Sequence, residues 1–135
     1  MKFEAIIEKG KDGMFSIYVN GMKEHGLYGS GKSVEEAKSD MFNALNEMIE
    51  VYKEAGEKTP KELVNPTFVY KYDIASIFDY FDILNVSMVA KRAGLNPSLL
   101  RQYKSGHAFA SEKQCMKLQE ALHKAGKELS AAICC

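Results

Sequence analysis

Ser98, Arg101 and Gln102 stand at i, i+3 and i+4 of the segment Pro97–Lys104, so on a helix they project side by side. Arginine can fork onto O6 and N7 of guanine, and glutamine onto N6 and N7 of adenine. Each such contact discriminates between bases by about 1–3 kcal/mol. Lys104, Ser87 and His107 flank that face, and side chains of these types bind phosphate oxygens, adding affinity without sequence preference. Asn96 stands at the head of the segment, where it also suits a helix cap. The chemistry in prospect is recognition of a DNA duplex, with Ser87, Asn96, Ser98, Arg101, Gln102 and Lys104 as the predicted contact set.

Other chemistry is thinner. Gly26-Leu-Tyr-Gly-Ser-Gly-Lys-Ser33 fits the phosphate-binding loop pattern, in which Lys32 would reach terminal phosphates and Ser33 a magnesium ion. Met22-Lys-Glu-His25 before it is polar, however, whereas such a loop follows a buried parallel strand. The expected role is a strand-to-helix turn. His25, His107 and His123 fall in separate elements with no partner at metal or triad spacing. Glu4, Glu8, Asp40 and Asp73 could in principle gather on a sheet for two-metal hydrolysis, but Glu4 and Glu8 alternate with apolar residues and should face water. Three cysteines do not make a zinc site; Cys115 falls on an apolar stripe and is expected in the core. The reading is that of a protein without catalytic residues, metal or cofactor.

The elements that must position the contact set are legible. In Val86–Gly106 (VSMVAKRAGLNPSLLRQYKSG), Ser87 can cap a first helix and Ala90 is small where two helices cross. Gly94 suits the left-handed residue after a helix end, and Leu95 plugs the angle. Asn96 and Pro97 open the second helix. Leu99, Leu100 and Tyr103 take the inner side. This is the layout of a helix-turn-helix, whose second helix enters the major groove; the plainer alternative is a helical corner packed on something else. Ser111-Glu-Lys-Gln114 is a capping box, and Cys115, Leu118, Leu122, Ala125 and Leu129 continue a helical stripe. Ile74–Asn85 is predicted to open this all-helical module.

Upstream, Lys2–Glu8 and Met14–Val19 alternate around a glycine-containing turn and predict a hairpin, with a third strand near Lys23–Tyr28. Ser33-Val-Glu-Glu36 is a second capping box, opening a helix to about Tyr52 whose stripe is Val34, Ala37, Met41, Leu45, Met48 and Tyr52. Residues 55–66 read as a connector and Thr67–Tyr72 as a last strand. The predicted fold class is α+β: a small antiparallel sheet with one packed helix over residues 1–73, then a helix-turn-helix domain over 74–135.

The chain has 135 residues and zero net charge, but residues 1–63 hold nine lysines against twelve acids, and residues 64–135 nine bases against six acids. Such asymmetry suggests separate partners for the two halves. No apolar run has membrane length, and the acids within MKFEAIIEKG argue against a secretory signal, so a cytoplasmic protein is expected.

The chain resembles a HicB-type antitoxin, the neutralising half of a toxin–antitoxin pair. In the first half the likeness is carried by the hairpin, by Gly29-Ser-Gly-Lys-Ser33-Val-Glu-Glu-Ala37 and by the later strand. In the second half it is carried by Ala90, Gly94, Leu95, Leu100, Tyr103 and Gly106, which match a Cro/repressor-type helix-turn-helix. Thr59–Pro66 is only loosely like that family's Pro-rich junction. The resemblance implies a truncated ribonuclease-H-like domain without activity that covers a small, basic, RNA-cleaving, HicA-like toxin. It also implies a second domain that binds operator DNA and represses its own genes. A pair of half-sites calls for a homodimer or a higher homo-oligomer. The alternative is a one-component transcription regulator whose first domain binds another ligand or only oligomerises.

Overall fold

The computed structural model describes all 135 residues, which divide into two compact units, Met1–Tyr80 and Phe81–Cys135. The class is α+β: a four-stranded mixed sheet and five α-helices.

In the first unit, β1 (Lys2–Lys9), β2 (Phe15–Asn20) and β3 (Tyr28–Gly31) form an antiparallel meander. Helix α1 (Val34–Glu54), a single 3-10 turn (Lys61–Leu63) and β4 (Thr67–Tyr72) follow, and β4 lies parallel to β1 in the order β3-β2-β1-β4. The expectation of a purely antiparallel sheet is therefore corrected. A helix between two strands returns the chain to its starting end, so the next strand runs in the same direction as the last. Strand β3 already runs with β1, and β4 must do so too. The third strand also falls later than the expected Lys23–Tyr28, because Lys23 and Glu24 bind their backbone N–H groups to Glu62 instead of a neighbouring strand.

Alternation puts Ala5, Ile7, Phe15 and Ile17 on one sheet face, where they are buried against Val34, Ala37, Met41 and Leu45 of α1. The glycines of β3 permit this approach. A Cβ on Gly29 would lie 2.4 Å from the Ala37 carbonyl oxygen, and one on Gly31 would lie 2.5 Å from Glu36 Cβ. Ser33 Oγ accepts the Glu36 N–H at 3.1 Å, as in a capping box. The Glu36 carboxylate, however, takes the Lys32 N–H at 2.7 Å and not that of the cap residue.

Helix α2 (Ile74–Tyr80) packs on the sheet, so the boundary expected at 73/74 lies instead at 80/81. Three anchors hold it. Asp73 accepts the Ser76 and Lys9 N–H groups, Asp79 accepts the Val34 N–H at 2.9 Å, and Phe78 is buried. An aromatic row, Phe42, Phe68, Tyr70, Tyr72 and Tyr80, links α1 through β4 to the end of α2. The Lys38 ammonium sits 4.1 Å from the Tyr70 ring centre and 3.6 Å from that of Tyr80, and donates to Tyr72 Oη at 2.9 Å. Ring quadrupoles favour a cation in that position.

The second unit consists of α3 (Val86–Ala93), α4 (Pro97–Ser105) and α5 (Glu112–Ala131) around Val89, Ala90, Leu100, Tyr103 and Leu118. Its capping box is complete: Ser111 accepts the Gln114 N–H, and Gln114 accepts that of Ser111. Cys115, expected in the core, is exposed. It lies three residues before Leu118, on the edge of a stripe that only Leu118 buries fully.

Candidate nucleic-acid interface

Helices α3 and α4 are joined through Gly94, Leu95 and Asn96. Gly94 takes the left-handed conformation (φ 68°), and the Leu95 N–H closes on the Ala90 carbonyl at 2.9 Å. Gly106 (φ 84°) ends α4 in the same way, with the His107 N–H on the Gln102 carbonyl. Ala90 is fully buried, and Leu100 and Tyr103 fix the inner side of α4. Tyr103 Oη donates to Gln114 Oε1 at 2.5 Å, tying α4 to the start of α5.

This packing leaves Ser98, Arg101 and Gln102 exposed along one side of α4, together with Lys104. The Arg101 guanidinium lies between the helices: one nitrogen is 3.5 Å from Ser87 Oγ and another 3.4 Å from Ser98 Oγ. Contacts of that length are weak. Arg101 is thus poised over the α3–α4 corner, with little holding it from another acceptor.

One member of the set, Ser87, differs from expectation. Asn85, not Ser87, caps α3, its side chain accepting the Met88 N–H at 3.1 Å. Ser87 lies inside the helix with its hydroxyl turned toward Arg101. Asn96 does cap α4, accepting from Ser98 and Leu99, so its side-chain oxygen is engaged and the amide nitrogen is the group left to donate. His107 pairs with Ser105 Oγ at 2.8 Å.

The Gly26–Ser33 segment lacks the features of a phosphate site. Gly29 and Gly31 serve the close packing of α1, and the strand they form is an antiparallel edge. The shallow depression beside it is lined by Glu35, Glu36 and Asp40, which repel anions. The four acids considered for hydrolysis stay apart in function. Glu4 pairs with Lys71 at 3.0 Å, Glu8 is exposed, Asp40 accepts the Ser30 N–H, and Asp73 caps α2.

One cluster escaped the sequence. His25 Nδ1 lies 2.5 Å from Glu62 Oε1, and His25 Nε2 lies 2.9 Å from Tyr52 Oη. The Glu62 carboxylate also accepts the Lys23 N–H at 3.0 Å and the Glu24 N–H at 3.4 Å. Chiefly the hydrogen bond from His25, opposed by desolvation and reinforced by the two backbone donors, holds the Glu62 carboxyl below the usual carboxylate range. The expectation that His25 has no partner at metal or triad spacing is corrected here. The partners come from the far end of α1 and from the connector, and sequence spacing carries no signal for either.

No family model, curated protein or solved structure matches the chain. No helix is long and apolar enough to cross a membrane.

Proposed function

We propose that this chain is a HicB-type antitoxin, a DNA-binding repressor that also sequesters a small, basic, RNA-cleaving toxin. The observation that carries the reading is the exposed face of α4. Ser98, Arg101 and Gln102 project together there, beside Ser87 at the head of α3, with Arg101 held only by contacts of 3.4 and 3.5 Å. A helix presented on the outer side of a glycine-turned corner can enter the major groove. Residues 81–135 hold eight bases and four acids, a balance suited to a phosphate backbone.

The first unit has the opposite sign, with ten bases against fourteen acids over residues 1–80. An acidic surface speeds encounter with a basic partner and favours one docking register. Dimerisation, needed for two half-sites, is supported by apolar surface on the second unit. Phe109 is 88 % exposed and Leu129 68 %, although Leu129 continues the stripe that Leu118 starts in the core.

The test is a mobility shift with the chain's own upstream DNA. Arg101→Ala should relax base preference, and Lys104→Ala should weaken specific and random duplexes alike. Equal losses on both duplexes for Arg101→Ala would remove the base-reading assignment. Capture of a small basic ribonuclease from native cells supports the toxin half of the reading. Its absence alongside specific DNA binding would leave a one-component regulator.

A further inference from the structure

The loop between β2 and β3, the last turns of α1 and the 3-10 turn at Lys61–Leu63 meet at one point, where three ligand-type side chains converge. Glu24, His25 and Glu62 each bring one ligand atom to within 4.8 Å of the other two. The His25 and Glu62 side chains are 13 % and 12 % exposed, half-buried where the loop meets the 3-10 turn, and their hydrogen bonds hold them in place. No lysine or arginine pairs with Glu24 or Glu62. The cluster therefore gathers two carboxylates around one imidazole, with no lysine or arginine to balance them.

We infer that Glu24, His25 and Glu62 bind a divalent first-row transition ion, with zinc as the test case. An imidazole nitrogen beside two carboxylates selects against calcium and magnesium, which prefer oxygen alone. Three protein ligands leave one tetrahedral position for water. Ligand atoms on an ion with bonds of about 2.0 Å lie about 3.3 Å apart. The 2.5 Å His25–Glu62 pair therefore opens slightly as an ion replaces the shared hydrogen. Glu24, exposed on the loop, swings in.

The surroundings are those of a supported ligand set. A metal-bound histidine donates its other ring N–H to a partner that fixes its orientation. With Nδ1 on the ion, Nε2 would carry that hydrogen and donate it to Tyr52 Oη, already 2.9 Å away. Glu62 is oriented by the Lys23 and Glu24 N–H groups before any ion arrives. Bound metal would staple the β2–β3 loop to the end of α1 and to the connector.

Calorimetric titration with zinc chloride tests this, using the full chain with Cys115→Ser, Cys134→Ser and Cys135→Ser so that thiols do not compete. One equivalent should bind. Glu24→Gln, at an exposed position where folding is not at stake, should weaken binding at least tenfold, and His25→Ala should abolish it. Tyr52→Phe should cost about tenfold, as loss of an orienting partner does. The inference is overturned by the absence of stoichiometric uptake, by uptake indifferent to Glu24→Gln and His25→Ala, or by uptake that disappears with His107→Ala or His123→Ala.

Discussion

At the scale of single residues, Gly29 and Gly31 let α1 lie against β3 at a distance where any Cβ would collide with the helix. Gly29→Ala should therefore destabilise the first unit by about 3 kcal/mol, at the upper end for overpacking, because its Cβ meets backbone that cannot move aside. Chemical denaturation would measure it, and a loss below 1 kcal/mol would mean that α1 shifts freely. Glu62 gives a pH dependence. Its carboxyl titrates lower in the folded chain than its ordinary value of 4.5, so the stabilisation is present above that value and is lost as the pH falls through the lower, folded one. Melting temperatures of wild type and Glu62→Gln in metal-free buffer should differ at neutral pH and converge on acidification. His25 and Glu62 are 37 positions apart, and nothing local announces that pairing.

At the scale of elements, most of what depends on neighbours in sequence is readable. The start of α5, the glycine turns after α3 and α4, and the inner and outer sides of α4 all follow from contacts within a few residues. The parallel pairing of β4 with β1 was missed because it joins Lys2 to Thr67, and α2 was misassigned because its anchors are Asp73, Asp79 and a distant helix N-terminus. The cap of α3 illustrates the narrower error, since Asn85 and Ser87 are both good caps two residues apart. Asn85→Ala should lower the stability of the second unit by about 1 kcal/mol in thermal denaturation. Ser87→Ala should leave the melting curve unchanged and register only in DNA affinity. The reverse result would return the cap to Ser87.

At the scale of the whole molecule, the sign change along the chain coincides with a structural division, fourteen acids lying before residue 81 and four after it. The small core of the second unit leaves Ile83, Phe109 and Leu129 largely exposed. A second copy is the cover proposed here, so sedimentation at micromolar concentration should give twice the chain mass. Leu129→Glu should shift the protein toward monomer without unfolding it, since that side chain contributes little to the core. The aromatic row around Lys38 carries a practical consequence. The chain has seven tyrosines and no tryptophan, and all but Tyr103 fall before residue 81. Intrinsic ultraviolet emission will therefore report almost wholly on the sheet, and the three-helix half, nearly dark, will need an introduced fluorophore before its encounters can be followed by light.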